Sequence, residues 1–383
     1  MISSSQQVLL EAIKASLFGA KFSYPEDTNW DEVVAEAKAQ TVMGLISPVI
    51  PVHDESAEQC KATYMRIMYE QDRLIRLLDS ANIPCVILKG SAAAVYYPKP
   101  YLRSMGDIDV LVSREKYHEA SELLKDKGYK FTHENERHIG LSKNGVEVEL
   151  HHHFSSPGYD VDDILEDAIG RREYHDLSRY QIPMLPMIEN GLVLLGHINQ
   201  HIKNNMLGLR QIIDWEMYLY SIKDVVEWEN VFLPMAEKIG LLTLANYVTR
   251  MCNKYLGLAY CLTMDVDDDL LYELLNVILT DGNLGRREKS SEASVERRVR
   301  GTIYGIKRYG FFSFFTGVGL DRLRFAKKKP ALKPIAFLCG LFVVLGKGIK
   351  ALFRNKGVGK QMSEGKKRYE LYKKLGVRSG EKD

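Results

Sequence analysis

The chain has 383 residues, of which 45% are hydrophobic and 27% charged, and a net charge of +2. That length exceeds one ordinary core, and the composition excludes a globally disordered chain, so two or three packed globular units are expected. The charge is uneven: residues 322–378 hold 17 Lys and Arg against Glu364 and Glu370 alone, a basic tail on a nearly neutral body.

Five cysteines (Cys60, Cys85, Cys252, Cys261, Cys339) show no Cys-x-x-Cys spacing. This argues against a zinc ribbon or a disulfide framework and for a reducing compartment. The opening stretch MISSSQQVLLEAIKASLFG lacks a positively charged start and reads as an amphipathic helix, so a cytoplasmic protein is expected.

From Gln6 to about Ser80 the apolar positions recur at helical spacing, with a break at residues 47–51. Beyond Pro84, Cys85–Leu88 (CVIL) reads as a short buried strand. It is followed by Lys89-Gly90-Ser91, an alanine-rich helical turn, and a stop at Pro98 and Pro100. GDIDVLV is a second strand. Ser113 is a candidate helix cap, with Tyr117, Ala120, Leu123 and Leu124 as the buried stripe and Gly128 as the stop. YKFTH and HIGLS are strand-like, and Asn144-Gly145 signals a hairpin into Val146–His151, which alternates polar and apolar residues. From about Val161 to Arg324 the pattern is helical again. The polar loop at residues 281–300 is the expected mobile segment.

Successive strand residues face opposite ways, so Asp107, Asp109 and Leu111 share one face of their strand while Ile108, Val110 and Val112 share the other. Paired carboxylates in a half-buried strand repel unless a cation sits between them. Magnesium suits the pattern, being held by one or two carboxylates plus substrate phosphates, and manganese could replace it. A third carboxylate, Glu149 or Glu147, on the strand after the hairpin would complete a two-metal site. Upstream, Gly90 and Ser91 sit at a strand-to-helix turn that can approach a phosphate, and Lys89 and Arg103 can add positive charge.

The order LKGSA, RSMGDIDVLV, VEVELHHHF resembles the uncharacterised nucleotidyltransferase family of the polymerase beta superfamily. The stretches GLVLLGHINQHI, LRQIIDWEMYL and DGNLGRR are similar to that family's helical continuation, so the likeness spans roughly residues 30–290. The resemblance implies an α+β fold, with a small mixed-sheet nucleotidyltransferase core at residues 81–158. Helical regions at 1–80 and 159–325 would flank it, with the basic tail at 326–383. It also implies that Gly90 and Ser91 hold a triphosphate, that Asp107 and Asp109 bind the metals, and that Glu149 is the third carboxylate. Glutamate there departs from the superfamily's usual aspartate. The implied reaction moves a nucleoside monophosphate from a nucleoside triphosphate to an acceptor hydroxyl, with the acceptor unidentified. The competing reading is an inactive scaffold of the same fold, or a membrane-docked binding module.

His151, His152 and His153 are consecutive in a strand and cannot converge on one ion, so His151 is read as support for Glu149. His197 and His201, four residues apart on a helix, are read as a structural pair or as the lining of the nucleotide pocket. Arg210 and Asp214 have the spacing of an intrahelical ion pair.

In the tail, PIAFLCGLFVVL is about twelve residues, short of the roughly 20 that span a bilayer. Its flanking lysines suit a helix lying on the inner face of an anionic membrane through residues 327–356, against the alternative of a buried terminal helix. Nucleic acid is a third candidate for the charge, against which stands an aromatic interleaving after Phe353 limited to Tyr369 and Tyr372.

Overall fold

The computed structural model describes residues 2–135, 137–154, 161–222, 225–259, 265–283, 302, 305–307, 309–323, 329–354 and 358–377. Of the loop expected to be mobile, all that follows Asn283 lies outside them.

Three N-terminal helices, α1 (Ser4–Phe18), α2 (Trp30–Gln40) and α3 (Met43–Ile46), precede the long α4 (Ser56–Ser80). α1 starts at a capping box in which the Ser3 hydroxyl accepts from the Gln6 N–H, while the Gln6 side chain accepts from the Ser3 N–H. Along α4, Tyr64, Ile67, Met68, Leu74, Ile75 and Leu78 recur at helical spacing and form its buried stripe.

Then come β1 (Cys85–Leu88), α5 (Gly90–Ala94), β2 (Asp107–Val112), α6 (Tyr117–Asp126), β3 (Lys130–Glu134), β4 (His138–Lys143) and β5 (Val146–His151). The five strands form one sheet in the order β1-β2-β5-β4-β3. It is mixed, since β2 and β5 run parallel while the other neighbours are antiparallel. Asn144 and Gly145 both take positive φ, as a two-residue hairpin turn requires, and this sets Lys143 opposite Val146.

α7 (Val161–Ile169) is followed by a hairpin, β6 (Glu173–Leu177) and β7 (Tyr180–Met184), where the periodicity predicts helix. β6 exposes most of its side chains, so it carries little period-two signal, and Pro183 in β7 disguises a strand. The hairpin is held by Leu177, Ile182 and Met184, which bury against the sheet's own cluster.

Helices complete the body: α8 (Met187–Lys203), α9 (Leu209–Ser221), α10 (Val225–Glu227), which continues through a π-helical turn into α11 (Leu233–Lys238), α12 (Leu242–Met251) and α13 (Asp268–Asp281). The buried apolar residues separate into two layers. Ile108, Val110, Val112, Val148 and Leu150 face a cluster containing the α4 stripe, Ala120 and Leu124. Val86, Leu88 and Leu111, from the opposite face, join the cluster that holds α1, α8, α9 and α12.

The tail forms α14 (Phe311–Arg322), α15 (Lys333–Arg354) and α16 (Val358–Lys374). α14 and α15 pack backbone to backbone, since a Cβ at Gly319 would meet the Ala336 carbonyl and one at Gly340 the Phe315 carbonyl. The end of α16 docks on the body, with Leu371, Tyr372 and Leu375 buried in the main cluster and Arg368 paired with Asp281. No helix among the described residues is long and apolar enough to cross a membrane.

Candidate active site

Parallel pairing of β2 with β5 sets Asp107 opposite Glu147, Asp109 opposite Glu149 and Leu111 opposite His151. With the two-residue alternation of each strand, this places both aspartates, both glutamates and His151 on one face, the one Leu111 turns toward the helical layer.

Asp109 is 4% exposed, and its Oδ1 accepts from Lys89 Nζ at 2.7 Å and meets His151 Nε2 at 2.9 Å. Burial pushes its carboxyl up, but the Lys89 charge and the His151 contact outweigh this and hold it well below the usual range. Glu149 Oε2 lies 3.3 Å from the same His151 nitrogen. Burial raises that carboxyl too and is again overcome, chiefly by His151. His151 Nδ1 faces the His153 carbonyl at 3.3 Å, so both ring nitrogens have acceptors. Burial lowers the ring's pKa, yet the two carboxylates raise it overall, which favours the imidazolium.

Asp107 is different. Burial, then the Asp109 charge, with Glu149 adding to them, push its carboxyl up to about 6 against the pull of Lys89 and Arg210. At Asp107, unlike Asp109 and Glu149, the nearby cations do not offset burial and the neighbouring carboxylates. Oxygen donors with residual negative charge fit a hard divalent cation, and Asp107, Asp109 and Glu149 are the residues that could hold one. Ligand atoms of Asp109, Glu149 and His151 lie within 4.8 Å of one another. Glu147, opposite Asp107, is exposed, so it is Glu149 that converges.

Lys89 occupies its position at a conformational cost, with φ 50° and ψ −131°, a region non-glycine residues rarely visit, and Gly90 follows at φ 28°. Leu88 pairs with Asp109 across the sheet, so the turn carries Lys89 straight onto that carboxylate. Ser91 is buried and donates to Gln71 Oε1 on α4 at 2.7 Å, so its hydroxyl is committed to the fold.

Arg103 is buried against Asp214 of α9, its Nε and Nη2 reaching the two carboxylate oxygens at 2.7 Å each, with the Tyr97 hydroxyl donating to the same group at 2.7 Å. This two-pronged pairing occupies the nitrogens that a phosphate contact would use. It also overturns the intrahelical pairing expected of Arg210 and Asp214. Arg210 instead donates from Nη1 to the Ser104 carbonyl at 3.3 Å, and its charge acts on Asp107. Arg210 is thus a cation of the site that the i, i+4 spacing concealed, because only the fold shows Asp214 taken by Arg103.

His197 and His201 meet through their Nε2 atoms at 2.7 Å, and His201 Nδ1 faces the Met206 carbonyl at 3.2 Å. Burial holds His201 down at about 4 and His197 well below its usual value, with contributions from Lys89 and Arg210 for each. They form a neutral pair within the electrostatic reach of the carboxylates.

A family model described as "Uncharacterised nucleotidyltransferase" matches residues 26–257. No curated protein sequence matches the chain. Among solved structures, the antibiotic-resistance factor ANT(2'')-Ia aligns with 12% identity and a TM-score of 0.33, over 45% of this chain and 94% of that one.

Proposed function

The chain belongs to the uncharacterised nucleotidyltransferase family, a transferase of phosphorus-containing groups, and from that premise we propose that residues 81–158 form its magnesium-dependent catalytic core. In the proposed reaction an acceptor hydroxyl attacks the α-phosphorus of a nucleoside triphosphate. The bond from that phosphorus to the bridging oxygen breaks, pyrophosphate leaves, and the hydroxyl proton passes to water. Asp107, Asp109 and Glu149 would hold the cations, whose chemistry is to activate the hydroxyl and neutralise the triphosphate. Lys89 and the turn at Gly90 and Ser91 would position the phosphates, with Arg210 as an added contact. His197 and His201 would line the pocket from α8.

One observation supports this most: three carboxylates share one sheet face, with Asp109 and Glu149 ligand atoms within 4.8 Å of each other and the Asp107 carboxyl raised to about 6 by burial and Asp109. A scaffold gains nothing from a carboxylate at Asp107, since burial beside Asp109 makes that charge withdraw stability unless a cation joins it.

The test is thermal unfolding of the wild type, Asp109→Asn and Asp107→Asn with each nucleoside triphosphate, with and without magnesium. Binding at 100 times Kd stabilises the folded state by about 2.7 kcal/mol. Stabilisation by a triphosphate only with magnesium, and only in the wild type, is expected. Equal response of all three proteins would sink the reading.

A second reading concerns the tail. On the α14–α15 hairpin Phe312 is 72% and Phe342 71% exposed, alongside Ile335, Leu338 and Leu345. With Lys327–Lys329 and Lys347, Lys350 and Arg354 flanking it in sequence, this surface suits an anionic lipid interface rather than a buried terminal helix. Cosedimentation with phosphatidylserine vesicles should fall sharply in Phe312→Ser/Phe342→Ser. Unchanged cosedimentation, or equal binding to neutral vesicles, removes the lipid reading.

A further inference from the structure

We propose a second cation site, built by His133, His138 and Glu149, that takes a borderline divalent ion of the zinc class. It adjoins the oxygen-rich cluster at Asp107 and Asp109, shares Glu149 with it, and does not depend on nucleotidyl transfer.

The sheet register builds it. His133 of β3 pairs with Gly140 of β4, and Gly140 with Glu149 of β5, so the three stand in one row across adjacent strands. His138 lies two residues before Gly140 and therefore on the same face. The register shifts between Phe131 and His133, a bulge of the kind that re-aims a side chain. Gly140 is what lets the imidazole cross its strand, because a Cβ there would collide with the His133 ring and the Thr132 hydroxyl.

The result is three convergent ligand atoms. His133 Nε2 is 3.2 Å from His138 Nε2, which is 3.5 Å from Glu149 Oε1, and all three fall within 4.8 Å of one another. Zinc bound tetrahedrally at about 2.0–2.1 Å separates its ligand atoms by roughly 3.3–3.4 Å, so both short edges already match. Hydrogen bonding assigns the ligand form of His138. Asn135 Oδ1 accepts from the N–H groups of Arg137 and His138, which turns Asn135 Nδ2 toward His138 Nε2 at 2.9 Å. That nitrogen is therefore an unprotonated acceptor whose lone pair the Asn135 amide holds and must yield to an incoming ion. The Thr132 hydroxyl, 3.1 Å from His133 Nδ1, supplies the outer partner that orients a ligating imidazole.

Glu149 serves both clusters, with Oε1 toward His138 and Oε2 toward His151. Two imidazoles favour zinc over magnesium, which prefers carboxylate and water oxygens. His133 is exposed, so the fourth position opens to water or to a bound ligand.

The experiment is calorimetric titration of zinc into the metal-stripped full chain in millimolar magnesium, with cobalt(II) substitution read in the visible. One zinc per chain and intense tetrahedral cobalt bands are expected, with affinity falling at least about tenfold in His133→Ala and in His138→Gln and holding in Asp107→Asn. His133 is exposed, so its variant keeps the test valid where His138→Gln fails to fold. Absence of stoichiometric zinc, displacement by magnesium, or binding that persists in the histidine variants overturns the proposal. Zinc binding alongside a failed magnesium and triphosphate response would leave this site standing and remove only the nucleotidyl-transfer chemistry.

Discussion

On the helix side of the site, Arg103 and Asp214 meet through two 2.7 Å contacts and share Tyr97, so buried opposite charges are matched within the chain. On the sheet side, Asp107, Asp109 and Glu149 face Lys89 and His151, and the Asp107 carboxyl is left pushed up to about 6. Both regions bury charge at a desolvation cost, which Arg103 recovers for Asp214, and Lys89 and His151 recover for Asp109 and Glu149, but which nothing recovers for Asp107. A matched pair fixes geometry, whereas the raised Asp107 carboxyl is the group whose charge an added cation would favour.

The sharpest way to break this contrast is to unmatch the helix side. Arg103→Ala leaves Asp214 buried beside Tyr97 and should cost about 3–5 kcal/mol in urea unfolding, with no recovery on adding magnesium. The sheet side should respond in the opposite sense. Asp107→Asn removes the uncompensated carboxylate and should stabilise the cation-free protein by up to about 3 kcal/mol at pH 7, while abolishing its response to magnesium.

The same group sets a pH dependence. The folded-state pKa of Asp107 lies above its unfolded value, so the folded state binds more protons between about pH 4 and 6, and this carboxyl withdraws stability as pH rises through that window. Buried neutral His201 works the other way, held at about 4, and withdraws stability as pH falls below about 6.5. Comparing wild type with Asp107→Asn by denaturant unfolding from pH 4 to 7 isolates the first effect. The difference should widen with pH without magnesium and close with it.

Smaller effects follow. Tyr97→Phe deletes one hydrogen bond to a buried carboxylate that keeps its guanidinium and should cost about 1.5 kcal/mol. Glu147→Gln, on the same strand face but exposed, should change stability by less than about 0.5 kcal/mol and leave the magnesium response intact, which separates it from Glu149.

Much of this was legible in the residues. Strict alternation in Val146–His151 and the Asn144-Gly145 turn announce β5 and its hairpin, and the helical spacing of Tyr64, Ile67, Met68 and Leu74 announces α4, because local backbone chemistry determines both signals. The β6–β7 hairpin was hidden, since its first strand is largely exposed and its second carries Pro183. The three consecutive histidines drew attention to a zinc reading that strand geometry rejects. Of the three only His151 reaches Glu149, and the histidines that gather at the other Glu149 oxygen are His133 and His138, on different strands.

The sequence by itself determined the pieces that depend on nearest neighbours: strand faces, turn types, helix stripes, and the shared face of Asp107 and Asp109. Only the tertiary structure decided the pairings across the chain, namely Asp109 with Glu149, Arg103 with Asp214, Ser91 with Gln71 and Arg368 with Asp281. Alternation and helical periodicity orient each side chain relative to its own backbone. Which charge it meets depends on strand order and register, and those follow from burying two apolar layers at once.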